Sequence, residues 1–258
     1  MATSSFLRSH RCHDYQALMR RWRSVVKGTG LALQPLFETA GFTVHSITPR
    51  RPRPGPALYL AAGVHGDEPA GTLGLLDWAE RHPQALAELP LRLLPCLNPW
   101  GLIHNTRGDH RGLDLNRRFH LRRDPRIRAW QDFARAEPLA LALTLHEDYE
   151  AQGIYCYELK AGRELVAPPP LQRAAQVIGP DPRGRIDGHR AGNGLIVRSR
   201  GIPRNLPGMP EAIELFQHWR CPTLTFETPS EFSLEERVQA QRRFIEGAVA
   251  WFRNRTGP

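Results

Sequence analysis

The residues of this sequence best suited to chemistry are His65 and Glu68, which stand in the stretch LYLAAGVHGDEPA at 58–70. The apolar run predicts a buried strand, a glycine-bearing turn follows it, and Pro69 with Ala70 opens a helical pattern. An imidazole and a carboxylate three positions apart at the end of a strand can converge on one metal ion. The stretch therefore predicts half of a zinc site.

Two further residues of the same kind follow apolar runs. His146 comes after 139–145, and Glu227 comes after 222–226. Ligands of open α/β sheets bind at the carboxyl ends of the strands, so we expect both residues to meet the His65 turn. Two histidines and one carboxylate form a three-ligand zinc set with a fourth position for water or substrate. Glu227 is then the candidate general base.

Each of these residues also has an ordinary interpretation. A His-x-x-Glu pair arises by chance in many proteins, and His146 could be one end of a solvated acidic turn. Glu227 alone would equally suit a helix cap or an ion pair, and Asp67 is interpreted as a turn residue. The convergence of several such residues at strand ends favours a metal site over these alternatives.

Strands and helices alternate along most of the chain. Apolar runs predict strands at 31–37, 42–47, 57–63, 91–97, 139–145, 154–158 and 222–226, and helical spacing predicts helices at 13–27, 69–81, 126–135, 171–177 and 234–253. Strands that are apolar along their length and alternate with helices are typical of a sheet covered on both faces. The predicted fold class is α/β, a three-layer α/β/α sandwich with a mixed, largely parallel central sheet.

The length of 258 residues fits one zinc-hydrolase domain spanning 1–258. We divide it into an N-terminal helix and hairpin (1–56), a catalytic core (57–232) and a closing helix (233–258). Within the core, the stretch 179–210 is rich in Gly, Pro and Arg and predicts an irregular rim or lid.

The composition points away from several other classes of protein. No apolar run approaches the ~18 residues of a membrane span, and the first residues lack the apolar core of a secretory signal. The four cysteines have no paired spacing and predict reduced thiols. We therefore expect a cytoplasmic protein without a membrane partner.

The net charge of +9 comes from 35 basic residues, of which only Lys27 and Lys160 are lysines. The positive electrostatic field of such a chain could attract acidic substrates or nucleic acid. The arginines alternate with apolar residues as on helix surfaces, and no nucleic-acid recognition motif accompanies them. We expect no nucleic-acid partner, and a non-catalytic basic binding protein remains a remote alternative.

Five short motifs follow one another between residues 65 and 230: HGDE at 65–68, LNPWG at 97–101, GLDLNRRF at 112–119, His146, and FETPS at 226–230. Together and in this order they resemble the zinc carboxypeptidase family, peptidase family M14, and within it short bacterial intracellular members such as the murein peptide amidases. The resemblance implies the carboxypeptidase fold and one zinc ion bound by His65, Glu68 and His146. It also implies that Glu227 is the general base and that Asp114 orients His65.

The same resemblance assigns roles to residues of the loop after 101. Asn116 and Arg117 would bind the terminal carboxylate of the substrate, and Arg107 would polarise the scissile carbonyl. A planar guanidinium suits a carboxylate because it donates two parallel hydrogen bonds. Arg111 and His104 compete with Arg107 for its role because the loop is short.

We therefore predict a zinc-dependent hydrolase that cleaves an amide or peptide bond near a free carboxylate of a peptide or acyl-amino-acid substrate. The related succinylglutamate desuccinylase/aspartoacylase group, which deacylates N-acyl amino acids, is the alternative because it also carries His-Gly-x-Glu and Asp-Leu-Asn-Arg pieces. The FETP motif favours the peptidase side. Carboxypeptidases carry a mobile tyrosine before the base, but no tyrosine lies between Tyr157 and Glu227, which leaves the substrate open. Tyr149, Tyr155 and Tyr157 are candidates for lining the pocket.

Overall fold

The structure, a computed structural model, describes residues 12–198 and 208–256. Its helices are α1 (Tyr15–Val26), α2 (Pro69–Arg81), α3 (Pro83–Glu88), α4 (Pro99–His104), α5 (Pro125–Ala134), α6 (Pro168–Ala174), α7 (Glu211–Trp219) and α8 (Leu234–Thr256), with a 3-10 turn at Leu115–Arg117. Its strands are β1 (Leu31–Thr39), β2 (Phe42–Pro49), β3 (Ala57–Ala62), β4 (Leu91–Leu94), β5 (Leu139–Asp148), β6 (Tyr155–Leu159), β7 (Arg185–Ile186), β8 (His189–Arg190), β9 (Leu195–Arg198) and β10 (Thr223–Pro229).

Eight strands form one mixed sheet in the order β1-β2-β4-β3-β5-β10-β6-β9, and β7 pairs with β8 in a separate hairpin. The four central strands, β4, β3, β5 and β10, run parallel to one another. On either side of them, β2 and β6 run antiparallel to their central neighbours. The predicted fold class, a mixed sheet with a parallel centre, is confirmed.

Helices cover both faces of the sheet. On one face α1, α2 and α8 bury an apolar cluster that includes Trp22, Leu73 and Phe244. On the other face α5 and α7 contribute Trp130 and Leu215 to a second cluster. No helix among the described residues is both long enough and apolar enough to cross a membrane.

The contact between α2 and α8 is close because of Gly74. A Cβ atom at this position would lie 2.4 Å from Cβ of Gln241 on α8. The close approach lets the buried Gln241 amide donate to the backbone carbonyl of His146, 2.8 Å away, and to Thr228 Oγ1, 3.1 Å away. Helix α8 thereby holds the backbone of β5 at His146 and the side chain of Thr228 in β10.

Some elements differ from the sequence-based expectations. β5 and β10 continue past the predicted strand ends, so His146 and Glu227 lie inside paired strands, directly opposite each other in the register. The strands continue because their backbones still pair there, although the side chains change from apolar to polar. Helices α3, α4 and α7 lie where no helix is predicted.

The stretch 179–210, predicted to be an irregular rim or lid, is described only in part. Up to residue 198 it contains the β7–β8 hairpin and β9, which joins the edge of the main sheet beside β6. Residues 199–207 lie outside the described part of the chain.

The turn between β3 and α2 packs directly on the start of α4. Asn98 caps α4 by accepting a hydrogen bond from Gly101 N at 3.0 Å, and its amide donates to Gly108 O at 2.9 Å. Asn98 thereby fixes the turn before α4 and the loop that follows the helix. Gly66 N donates to Thr106 O at 3.1 Å, and a Cβ atom on Gly66 would lie only 1.8 Å from the carbonyl carbon of Gly101.

We predict that Gly66→Ala destabilises the protein by at least ~2–3 kcal/mol, because the added methyl group meets backbone that cannot move aside. Gly162→Ala is the control, since a Cβ atom there has nothing within 4 Å. The free energy of unfolding, measured in denaturant, compares the two. Equal stability of both variants would show that the turn does not need a glycine.

Candidate active site

Three potential metal ligands meet at the carboxyl ends of β3 and β5. His65 and Glu68 lie on the turn after β3, and His146 lies in β5, the adjacent strand. All three side chains are buried, and one ligand atom from each lies within 4.8 Å of the others. Nδ1 of His65 is 2.6 Å from Glu68 Oε1, and Nδ1 of His146 is 2.8 Å from Glu68 Oε2. Both imidazoles thus present the same ring nitrogen to one carboxylate, and together the three residues, the metal triad, could bind one metal ion.

The electrostatics of the metal triad suit a cation. Burial works against the charge of Glu68, but the two imidazoles lower its pKa below the ordinary value. Burial lowers the pKa of His146, which keeps that ring neutral and able to act as a ligand. Burial would also lower the pKa of His65, but Glu68 and Asp114 raise it to about 9. A metal ion would replace the proton shared by His65 and Glu68, so metal affinity should fall at acidic pH.

Asp114 contacts His65 from the side opposite Glu68. Its Oδ1 atom lies 3.2 Å from His65 Nε2 and also accepts a hydrogen bond from Asn116 N at 2.7 Å. Burial opposes ionisation, but the contact with His65 and the charge of Arg107 lower the pKa of Asp114 below its ordinary value. The ionised carboxylate can therefore accept a hydrogen bond from the N–H at Nε2, which leaves the lone pair of His65 Nδ1 free to bind a metal.

Of the three residues considered for polarising a carbonyl, only Arg107 lies beside the metal triad. It donates to Glu68 Oε1 at 3.3 Å and to Asp114 Oδ2 at 3.2 Å, and about half of its side chain is exposed. Arg111 points towards Asp124 instead, at 3.5 Å. His104 stacks on the ring of Trp100, with the ring centroids 4.2 Å apart.

A cavity of about 590 Å³ opens from the metal triad. It follows one face of β5, β10 and β6, where Thr144, Thr225 and Tyr157 stand in one row across the strands. On the side away from the sheet, α7 contributes Ile213 and Phe216. Its size is that of a site for a small-molecule or dipeptide-sized ligand.

Asn116 and Arg117 both line this cavity. Asn116 is buried, and its Oδ1 atom accepts a hydrogen bond from Glu211 N at 2.9 Å, which fixes the amide against the start of α7. The NH₂ group of Asn116 has no partner among the described residues. Arg117 donates to the carbonyl oxygen of Asn116 at 3.1 Å, and no carboxylate of the described chain lies within 4 Å of its guanidinium. Both side chains therefore keep donors available for a ligand.

Glu227 is half-buried, faces the same cavity and lies opposite His146 and Tyr155 in the sheet register. No hydrogen bond from a described residue reaches its carboxylate. Burial raises the pKa of Glu227 well above its ordinary value, and neighbouring negative charges add to the shift; these belong to Glu68, Asp148 and Asp187. The structure thus brings every predicted site residue to one cavity or, for Asp114, directly behind it.

Two buried carboxyl groups near the site have no predicted role in the sequence. Glu147, next to His146, accepts from Ala70 N at 2.6 Å and pairs with Arg237 of α8, so the alternative of a solvated acidic turn is wrong. Glu211 accepts from Tyr59 and from Trp130 Nε1 and supplies the backbone N–H that holds Asn116. Neither role has a local sequence signal, because the partners lie far away along the chain.

Of the three tyrosines considered for lining the pocket, two do so and one does not. Tyr155 and Tyr157 line the cavity, and their hydroxyl groups donate to Asp148 at 2.9 Å and to Asp187 at 2.7 Å. Tyr149 is 57% exposed and is not part of the cavity wall.

Residues 54–150 match the sequence model of the succinylglutamate desuccinylase/aspartoacylase catalytic domain. The matched stretch contains the metal triad, Asp114 and Asn116, and ends before Glu227. The match is to a catalytic domain, which agrees with the prediction of an enzyme. No curated protein matches the sequence.

Solved structures resemble the whole chain. A candidate metallopeptidase from Shewanella denitrificans OS217 superposes with a TM-score of 0.83 at 22% identity, over 97% of this chain and 94% of that chain. A metallo-carboxypeptidase from Burkholderia cenocepacia superposes with a TM-score of 0.73 at 13% identity, over 94% of this chain and 70% of that chain. A third structure is a metallo-carboxypeptidase from Pseudomonas aeruginosa in complex with (2-guanidinoethylmercapto)succinic acid. It superposes with a TM-score of 0.62 at 20% identity, over 92% of this chain and 68% of that chain.

At these identities the structural likeness establishes the fold, and the predicted carboxypeptidase-like fold is confirmed. The match over 54–150 is to the group that the sequence analysis names as the alternative. Both resemblances drawn from the motifs therefore have a counterpart among known proteins.

We predict that Asp114→Asn weakens zinc binding by about 10–100-fold, because an amide no longer fixes the tautomer and orientation of His65 as a carboxylate does. Competition with a chromophoric chelator measures the affinity. Asp67→Asn removes the same charge from the turn that carries His65, and Asp67 makes no hydrogen bond to the His65 ring. This variant should change the zinc affinity by less than about threefold. Equal losses in both variants would mean that the charge matters and the contact with His65 does not.

Proposed function

We propose that this protein is a zinc-dependent hydrolase that cleaves an amide or peptide bond close to a free carboxylate. One observation carries the proposal: the metal triad, the unpartnered carboxylate of Glu227 and the unpaired guanidinium of Arg117 face a single cavity. Metal, base and carboxylate receptor are the three parts that such a reaction requires.

In this proposal His65 and His146, each through Nδ1, and the carboxylate of Glu68 would bind the ion. Two imidazoles and one carboxylate are the ligand set of catalytic zinc sites that keep a position open for water or substrate. Bound zinc would lower the pKa of water and polarise a carbonyl oxygen. Asp114 would hold the His65 ring while the ion is bound.

Glu227 acts as the general base. It takes a proton from the attacking water molecule and returns it to the leaving amine. Burial and neighbouring negative charges raise its pKa, which makes the carboxylate a stronger base than an exposed one. The absence of a hydrogen-bond partner among the described residues leaves both oxygens of its carboxylate open to the cavity.

Arg117 and Asn116 bind the free carboxylate of the substrate, the guanidinium by two parallel hydrogen bonds and the amide by its NH₂ group. Arg107, beside Glu68, stabilises the negative charge that develops on the carbonyl oxygen during attack. Its half-exposed side chain can turn from Asp114 towards the substrate, because surface-exposed ion pairs are weak.

The second candidate is the removal of an acyl group from an N-acyl amino acid. The match of residues 54–150 to the succinylglutamate desuccinylase/aspartoacylase catalytic domain favours it. The same residues would act in the same roles, with an acyl group in place of the peptide on one side of the bond.

A substrate panel separates the two candidates. Peptides with a free C-terminus are compared with N-acetylaspartate and N-succinylglutamate, and amine release is measured in the presence of zinc. Turnover of peptides supports the first candidate, and turnover of the N-acyl amino acids alone supports the second. No turnover of either class would contradict the proposed function.

The proposal places the enzyme in the cytoplasm, where thiols stay reduced. Cys12, Cys96, Cys156 and Cys221 are all unpaired.

We predict that Glu227→Gln lowers kcat by about 10²–10⁴-fold while one zinc ion per chain is retained, because the amide keeps the shape of the side chain but cannot accept the proton. Steady-state kinetics and elemental analysis are measured on the same sample. Asp148→Asn, a second carboxylate of the cavity that already accepts a hydrogen bond from Tyr155, should retain at least about a tenth of the activity. A fully active Glu227→Gln variant would show that another group is the base.

A further inference from the structure

The end of the cavity away from the metal triad contains a basic residue with no role in the proposed reaction. Arg198 is the last residue of β9 and pairs with Leu159 of β6 in the sheet register. Leu159 lies four residues along β6 from Tyr155, the residue opposite Glu227, which corresponds to about 13 Å. Arg198, Leu159 and Tyr155 all line the same cavity. Arg198 and the metal ligands therefore stand at opposite ends of one space.

No carboxylate of the described chain lies within 4 Å of the Arg198 guanidinium. Its hydrogen-bond partner there is the ring of His189, with Nη1 2.6 Å from Nε2 and 3.2 Å from Nδ1. Two other arginines around the site do have carboxylate partners: Arg183 pairs with Asp181 at 2.7 Å, and Arg107 pairs with Glu68 and Asp114. A half-buried guanidinium that lacks a carboxylate partner can bind an anion.

The β7–β8 hairpin positions this cation. The ring of His189 packs edge-on against Tyr157, with the ring centroids 6.2 Å apart, and Tyr157 donates to Asp187 at 2.7 Å. Burial and the charge of Arg198 lower the pKa of His189, so the ring is neutral at pH 7 and can accept a hydrogen bond from the guanidinium. Asp187 is exposed and accepts the hydrogen bond from Tyr157. It forms no ion pair with Arg198 within 4 Å.

We propose that Arg198, oriented by His189, binds a second anionic group of the substrate and so determines its specificity. The proposal rests on the proposed function, which sets the orientation of the substrate. One carboxylate of the substrate binds to Arg117 near the metal triad, and a second anionic group, also a carboxylate, binds at the far end of the cavity. A planar guanidinium held at a fixed angle suits a carboxylate because it donates two parallel bonds. The chemical class of substrate is therefore a compound with two separated carboxylates.

A binding experiment tests the inference without turnover. Calorimetry compares linear dicarboxylates from succinate to suberate with the monocarboxylates of equal chain length on the zinc-loaded protein. We expect at least one dicarboxylate to bind about tenfold or more tightly than its monocarboxylate partner, and Arg198→Gln to remove that difference. Arg198→Lys, which keeps the charge but not the planar fork, should restore part of it.

The control is Arg190→Gln. Arg190 is exposed on the same hairpin beside His189 and is not part of the cavity wall, so the preference for dicarboxylates should be unchanged. Arg220 also lines the cavity, with its guanidinium 5.7 Å from the ring centroid of Phe216. Loss of the preference in Arg220→Gln but not in Arg198→Gln would overturn the assignment. A wild-type protein that binds both series equally would overturn the second anion site altogether.

A kinetic comparison separates failure of this inference from failure of the proposed function. Matched substrates that end in glutamate or glutamine differ only in the second charge. We expect wild-type kcat/KM to favour glutamate by about tenfold or more, and Arg198→Gln to lose this preference while cleaving the glutamine substrate within about threefold of wild type. Equal cleavage of both substrates by the wild type would overturn the inference and leave the hydrolase intact, whereas cleavage of neither would count against the proposed function.

Discussion

The site depends on one buried interaction, the carboxylate of Glu68 held between the Nδ1 atoms of His65 and His146. A buried carboxylate is costly unless it is paired, and these two rings supply the pairing. They come from neighbouring parallel strands, so the sheet register sets their separation. The same geometry that pairs the buried carboxylate also brings three potential ligand atoms close to one point. The contacts that stabilise the fold here are therefore also those that form the candidate metal site.

The surrounding structure keeps this arrangement rigid. Gly66 lets the turn pack on α4, Gln241 holds the carbonyl of His146, and Asp114 fixes the outer face of His65. Glu211 holds Asn116 from the start of α7. Catalytic and binding groups need such support because small displacements weaken both metal binding and substrate positioning. Rigid support close to the metal triad, with unpaired donors facing the cavity, is the pattern expected of a site that recognises charged substrates.

The convergence of the three triad residues could be predicted because they belong to short ordered motifs next to strongly apolar strands. Asp114 belongs to one of these motifs, and Arg107 lies in the loop between two of them. The far end of the cavity could not be predicted in this way: Arg198 and His189 lie in a Gly- and Arg-rich stretch with no local pattern, and α7 meets Asn116 over a separation of 95 residues. His146 and Glu227 were expected just after strands but lie within them, because side-chain polarity says little about where backbone pairing ends.

The most direct test of the central claim is a crystal structure of the zinc-treated protein, with anomalous diffraction measured on both sides of the zinc absorption edge. The account predicts one zinc ion bound by Nδ1 of His65, Nδ1 of His146 and the carboxylate of Glu68, with Nε2 of His65 still hydrogen-bonded to Asp114. Zinc bound elsewhere in the chain, ligation through Nε2, or no anomalous peak at the metal triad would contradict it.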